Sequence, residues 1–301
     1  MATATPGEGP TRGFGAKDLV VVAGMNVLWG FNLIAVKMAV NEIAPLTAGF
    51  LRQVLVLLVC LGSLRIVPGR MRALTALGIL SGGVFYVATN LSLAVTHNVG
   101  ALAIAGQLGV PFSLLMAIVV FRERIHLPRL VGIVLSVAGV GLLAFDPTMV
   151  TELPGLALTA VASFIWAICS LLQRRLIGVP VLTIYAWVGF WGAIILGAIA
   201  LVTEPGAMHS IPQLPLGTFG WIVFSAVGST VLGQGAMSWL LQRHPVSIVT
   251  PLTLPAPVIA VFATGWYFDT PPTMLMLAGG AIAMIGVAIV TIRTARAGNT
   301  A

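Results

Sequence analysis

The chain reads as an all-α polytopic membrane protein with ten transmembrane helices, arranged as two inverted five-helix repeats with both termini in the cytoplasm. Three observations predict this fold. Of 301 residues, 58% are hydrophobic and 8% charged, whereas a soluble globular domain carries about a quarter charged residues. Ten apolar stretches approach the roughly 20 residues that one helical crossing of the hydrocarbon core needs. The basic side chains between them gather on one face of the membrane.

Residues 1–18 are polar and rich in Gly and Pro, and form an N-terminal tail. The apolar run that follows is longer than the roughly 7–15 residues of a signal-peptide core, so it is a retained first helix. Hydropathy places helices 1 to 5 at 19–40, 46–66, 73–95, 99–121 and 129–145, within a first repeat at 19–146. Helices 6 to 10 fall at 154–173, 181–202, 216–241, 246–268 and 273–292, within a second repeat at 154–292, and a tail at 293–301 closes the chain.

A cytoplasmic N-terminus puts 13 of the 15 basic residues inside: Arg12, Lys17, Arg65, Arg70, Arg72, Arg122, Arg124, Arg129, Arg174, Arg175, Arg243, Arg293 and Arg296. Glu42, Asp146, Glu152, Glu204 and Asp269 land outside. The formal charge of +7 is thus a topology signal, and singly scattered basic residues do not form a nucleic-acid stripe. Cys60 and Cys169 lie inside apolar runs, so no disulfide or metal site is expected.

Five helices per half force the second copy to enter the membrane from the opposite face. Echoes mark the duplication. Leu28-Trp29-Gly30-Phe31 parallels Ile165-Trp166-Ala167-Ile168, and Gly132 to Gly139-Val140 returns as Gly279 to Gly286-Val287, at offsets of 137 and 147. Inverted repeats are a recurring transporter architecture with the substrate held near the midplane between the halves.

Proline-interrupted helices in corresponding positions point to such a site. Helix 4 carries Gln107-Leu108-Gly109-Val110-Pro111 and helix 9 carries Thr253-Leu254-Pro255-Ala256-Pro257. Each proline frees a carbonyl, which protein or a wet cavity must satisfy. A packing kink is the plain alternative; the symmetric pair favours a cavity, with Pro111 and Pro257 as hinges.

Polar side chains at helical spacing supply the rest. Helix 1 presents Met25, Trp29 and Asn32; helix 3 presents Gly82, Tyr86, Asn90 and His97; helix 8 presents Thr230, Gln234 and Ser238, with Trp239 beside them. Trp29, Asn32, Tyr86, Asn90, Gln107, Trp166, Gln234 and Trp239 are therefore the candidate substrate-binding residues, against the alternative that such groups only glue helices together. Arg52 lies two turns into helix 2, where a charge must pair, snorkel or serve a ligand, and it is read as attracting a substrate carboxylate at the outer mouth. Lys37 is read as an interfacial partner of Glu42 or a snorkelling side chain.

No acid lies at mid-membrane, so carboxylate-based ion coupling is not expected, while His97 leaves room for proton linkage. No Gly-x-x-x-x-Gly-Lys phosphate cradle occurs, so no ATPase partner or cofactor is implied. The partners expected are a small-molecule substrate and the lipid bilayer. No catalytic residue is assigned, since neither His-Glu-x-x-His nor Gly-x-Ser-x-Gly is present. An intramembrane enzyme, or a scaffold or receptor without transport activity, is the competing class.

Trp29-Gly30-Phe31-Asn32 with Lys37, Arg52 in Ala48-Gly49-Phe50-Leu51-Arg52, and Phe121-Arg122-Glu123-Arg124-Ile125 leading to Gly132-Ile133 and Gly139-Val140 resemble the EamA family of the drug/metabolite transporter superfamily. The resemblance covers essentially the whole chain. It implies ten helices in two inverted repeats, a bacterial inner-membrane location, and export of amino acids, related metabolites or drugs. It further implies a cavity lined mainly by helices 1, 3, 4, 6, 8 and 9. Gln107 resembles a glutamine of cysteine and O-acetylserine exporters, from whose pattern Gly109 and Pro111 depart.

Overall fold

The computed structural model describes residues 15–121, 127–244 and 246–298. Arg12 and the stretch from Arg122 to Ile125 lie outside the described residues.

Nine stretches among the described residues are helices long and apolar enough to cross a membrane: Ala16–Glu42, Pro45–Ser63, Met71–Val95, Val99–Met116, Leu127–Phe145, Pro147–Arg174, Val181–Thr203, Leu216–Leu241 and Met274–Ile292. These are helices 1 to 8 and helix 10. Helix 9, expected as one crossing over 246–268, is instead three pieces: Val246–Val249, a 3-10 turn at Thr250–Thr253, and Pro255–Tyr267. Pro251, Pro255 and Pro257 each remove an amide hydrogen from the ladder, and their rings clash with the turn before. A short helix, Pro205–Ser210, and a 3-10 turn, Ile211–Gln213, lie between helices 7 and 8 without having been foreseen.

The two halves touch in a paired pattern. Helix 5 packs on helix 10 and helix 2 on helix 7, each against its own counterpart. Helix 1 packs on helices 8 and 9, as helix 6 does on helices 3 and 4; helix 3 packs on helix 7 as helix 8 does on helix 2. Helices 3 and 8 each relax into a π-helical stretch, Gly78–Val84 and Phe224–Gly233. Such widened turns change which face looks inward and are frequent at functional sites.

The glycine echo found in the sequence acquires a physical meaning at the seam between helices 5 and 10. A Cβ added at Gly279 would stand 2.5 Å from the Gly139 carbonyl oxygen, and one at Gly286 would stand 2.6 Å from that of Gly132. Only glycine lets the two backbones approach this closely, the usual way helices associate where lipid gives no hydrophobic driving force.

Connecting segments bind to one another at both ends of the bundle. The Glu204 carboxylate accepts hydrogen bonds from the Leu46 and Thr47 amides at 3.1 and 2.8 Å, capping the positive end of helix 2. Asp146 accepts from Thr148 and from Thr273 Oγ1, tying the end of helix 5 to the start of helix 10. Arg70 donates to the Arg175 carbonyl at the opposite, basic end.

Candidate functional site

A cavity of about 430 Å³ lies between the halves. Helices 1, 2, 3, 4, 6, 7, 8 and 9 contribute side chains to it, and among the described residues none of its lining comes from helices 5 and 10, which meet at the glycine seam.

The helix 4 break borders this cavity and the helix 9 break lies just before the lining residues Ala256 and Pro257; each is held by a side-chain donor from the other half. In helix 4 the ladder gives way to a 3-10 turn at Gly106–Leu108. Pro111 causes it from one turn downstream, because its missing N–H would have bonded to the carbonyl of Gln107. Ser163 Oγ on helix 6 donates to the Gly106 carbonyl at 3.4 Å. Across the cavity, Asn26 Nδ2 on helix 1 donates to the Leu252 carbonyl in the helix 9 break at 2.8 Å. Asn26 stands three residues before Trp29 and Ser163 three before Trp166, so the two donors hold the same place in the sequence echo.

Aromatic rings and polar groups share the wall. Trp29 lines the cavity, its Nε1 donating to the Ser229 carbonyl at 3.1 Å. Trp166 faces it beside Phe85, with ring centroids 5.4 Å apart. Asn32, Tyr86, Gln107 and Gln234 complete the expected residues that the structure brings together here. Gln53, Phe85, Tyr185 and Ser229 also line it; sequence reasoning missed them because nothing along the chain shows which face the π-helical turns and helix 7 present.

Arg52, expected to attract a carboxylate, lies inside the bundle. It is 4% exposed and lies against the cavity, with Nε donating to Ser225 Oγ at 2.7 Å and Nη2 to Thr230 Oγ1 at 2.5 Å. Its guanidinium carbon sits 4.1 Å from the Tyr86 ring centre, a cation–π contact strengthened by burial. Ser225 Oγ donates onward to Asn32 Oδ1 at 2.8 Å, joining helices 1, 2 and 8 in one relay. Two turns of helix carry this side chain inward because helix 2 itself packs between helices 7 and 8.

Other expected positions fall elsewhere. Asn90 is buried behind the wall, donating to the Tyr86 carbonyl at 2.8 Å and filling the space over Gly49. Trp239 belongs to the far end of helix 8, where the Arg243 guanidinium lies 3.9 Å from its ring centre. Pro111 is buried outside the lining, while Pro257 lies within it. His97 is exposed in the bend after helix 3, its amide donating to Glu152 Oε2 at 3.0 Å. Lys37 neither snorkels nor pairs with Glu42: it is buried, and Nζ donates to the Leu93 and Thr96 carbonyls at 2.8 and 2.7 Å, capping helix 3. A smaller, almost wholly apolar cavity of about 280 Å³ adjoins at Gln107 and Pro257, between helices 4, 9 and 10.

The EamA-like transporter family matches residues 17–145 and again residues 153–292, one match in each half. The chain belongs to this family. It is therefore a multi-pass membrane protein and a transporter. Among EamA relatives, an Escherichia coli K12 protein named "Probable amino-acid metabolite efflux pump" is 24% identical over 91% of this chain and 94% of its own length. An Archaeoglobus fulgidus protein named "Uncharacterized transporter" is 27% identical over 91% of this chain and 98% of its own. One solved structure shares the fold with a TM-score of 0.64 at 17% identity, over 94% of this chain and 99% of that one.

Proposed function

We propose that the protein is a secondary transporter of the bacterial inner membrane that exports a small organic solute, such as an amino acid, a related metabolite or a drug. In this reading the chain crosses the membrane ten times as two inverted five-helix repeats, with both termini in the cytoplasm and helix 9 crossing in pieces. The observation that carries it is the cavity itself: both halves line it, and each half supplies one broken helix held by the equivalent residue of the other's partner helix.

A broken helix against a cavity is what membrane energetics permits and what alternating access needs. Breaks at Gly106–Leu108 and Thr250–Thr253 let the segments beyond them tilt while helices 5 and 10 stay locked. Pro111 acts as a hinge residue through the carbonyl it frees, and Pro257 from inside the cavity wall. The names of the two efflux-pump relatives, from Escherichia coli and Salmonella typhimurium, favour amino-acid metabolites as the first solutes to try.

Reconstitution tests this. Proteoliposomes loaded with labelled amino acids are expected to release at least one of them faster than protein-free liposomes do. Equal leakage across a panel of amino acids and drugs would leave an enzyme or a scaffold as the better account.

A further inference from the structure

We propose that Arg52 anchors a carboxylate of the transported solute inside the central cavity, and that the solute is a monocarboxylate with an apolar body. This deepens the transporter reading and rests on it.

A buried guanidinium keeps its charge and demands partners. The two partners it has, Ser225 Oγ and Thr230 Oγ1, are neutral hydroxyls. Nη1 is buried with no hydrogen-bond partner, and among the described residues no Asp or Glu lines the cavity. Lys37 makes the contrast. Two carbonyls at a helix end receive its ammonium, and the Glu152 carboxylate acts on that charge as well. Arg52 is instead held in place, by two hydroxyls and the Tyr86 face, without being neutralised.

A planar guanidinium fork suits a carboxylate, which accepts two parallel N–H bonds. With Arg52 the single charged side chain in the lining among the described residues, a second carboxylate or a dianionic phosphate would bring negative charge that nothing there balances. Trp29, Phe85, Trp166 and Tyr185 line the cavity beside it and favour an aliphatic or aromatic body.

Thermal shift of the purified full chain in lipid nanodiscs reads this directly, with apolar amino acids, their primary amides and glutamate as probes. At least one apolar amino acid is expected to raise the unfolding midpoint, while its amide and glutamate do not. Arg52→Gln should weaken that acid by roughly tenfold or more, and Arg52→Lys should retain part of the affinity through charge alone. The inference is overturned if an amide stabilises as well as its acid, if no acid stabilises, or if Arg52→Gln binds like the native chain. The contrast between acid and amide needs no variant, so a folding failure of Arg52→Gln leaves it intact. Proteoliposome flux separates the two levels: efflux of an amide, which lacks the carboxylate, that survives Arg52→Gln keeps the transporter and removes the carboxylate anchor, whereas no flux of any solute removes both.

Discussion

The breaks in helices 4 and 9 have the same design but are not held equally. Asn26 reaches the Leu252 carbonyl at 2.8 Å and also its own Val22 carbonyl, bridging helix 1 to helix 9 with one amide group. Ser163 reaches the Gly106 carbonyl at 3.4 Å, near the limit at which a hydrogen bond contributes. Three prolines interrupt helix 9, at 251, 255 and 257, whereas Pro111 alone acts on helix 4. The more disrupted helix thus carries the shorter hydrogen bond.

The largest expected effect comes from removing the strong clamp. Asn26→Leu leaves the part-buried Leu252 carbonyl without its donor, which costs about 1 kcal/mol or somewhat more; a matching fall in the unfolding midpoint in nanodiscs checks it. A shift no larger than that of Ser163→Ala would erase the inequality. Next comes Pro111→Ala, which restores the N–H to the Gln107 carbonyl and relieves a fault costing about 3 kcal/mol in an ordinary helix. Because the break already relaxes most of that strain, a gain of about 1 kcal/mol is expected, with slower efflux as helix 4 straightens. Unchanged efflux would deny helix 4 a moving role. Ser163→Ala should cost less, about 0.5 kcal/mol, since a long hydrogen bond is lost.

The smallest effect lies away from both breaks. Hydrogen bonds from the Thr148 and Thr273 side chains and the Thr148 amide hold the Asp146 carboxyl below its ordinary value. A lowered folded value stabilises above the unfolded pKa and is lost as pH falls through the folded one. A slight drop in midpoint below the ordinary carboxylate range is expected in the native chain and absent in Asp146→Asn.

Much of this was legible in the chain. Length and hydropathy placed helices 1 to 8 and 10 within a few residues of where they lie, because lipid forces backbone hydrogen bonds inside each segment. Glycine spacing marked helices 5 and 10 as counterparts, and the reason is that they meet. Trp29, Asn32, Tyr86, Gln107, Trp166 and Gln234 were found because costly polar and aromatic groups at helical spacing turn toward protein rather than lipid. What escaped depends on packing between distant segments. The helix 4 break lies upstream of Pro111 because a proline acts on the carbonyl four residues before it. Arg52 looked peripheral from its place in helix 2, and only the crossing of helices 2, 7 and 8 takes it to the cavity. Asn26 was overlooked although its register with Ser163, three residues before each tryptophan, was available in the same echo.

The most direct test of the central claim, that solute passes through the cavity between the halves, is efflux from proteoliposomes bearing Ala162→Trp beside the native chain. Ala162 lines the cavity and is buried, so an indole there fills space the solute needs while the seam of helices 5 and 10 is untouched. The account predicts solute release by the native chain and its loss in a variant that still purifies as a folded protein. Release at the native rate by folded Ala162→Trp would contradict it.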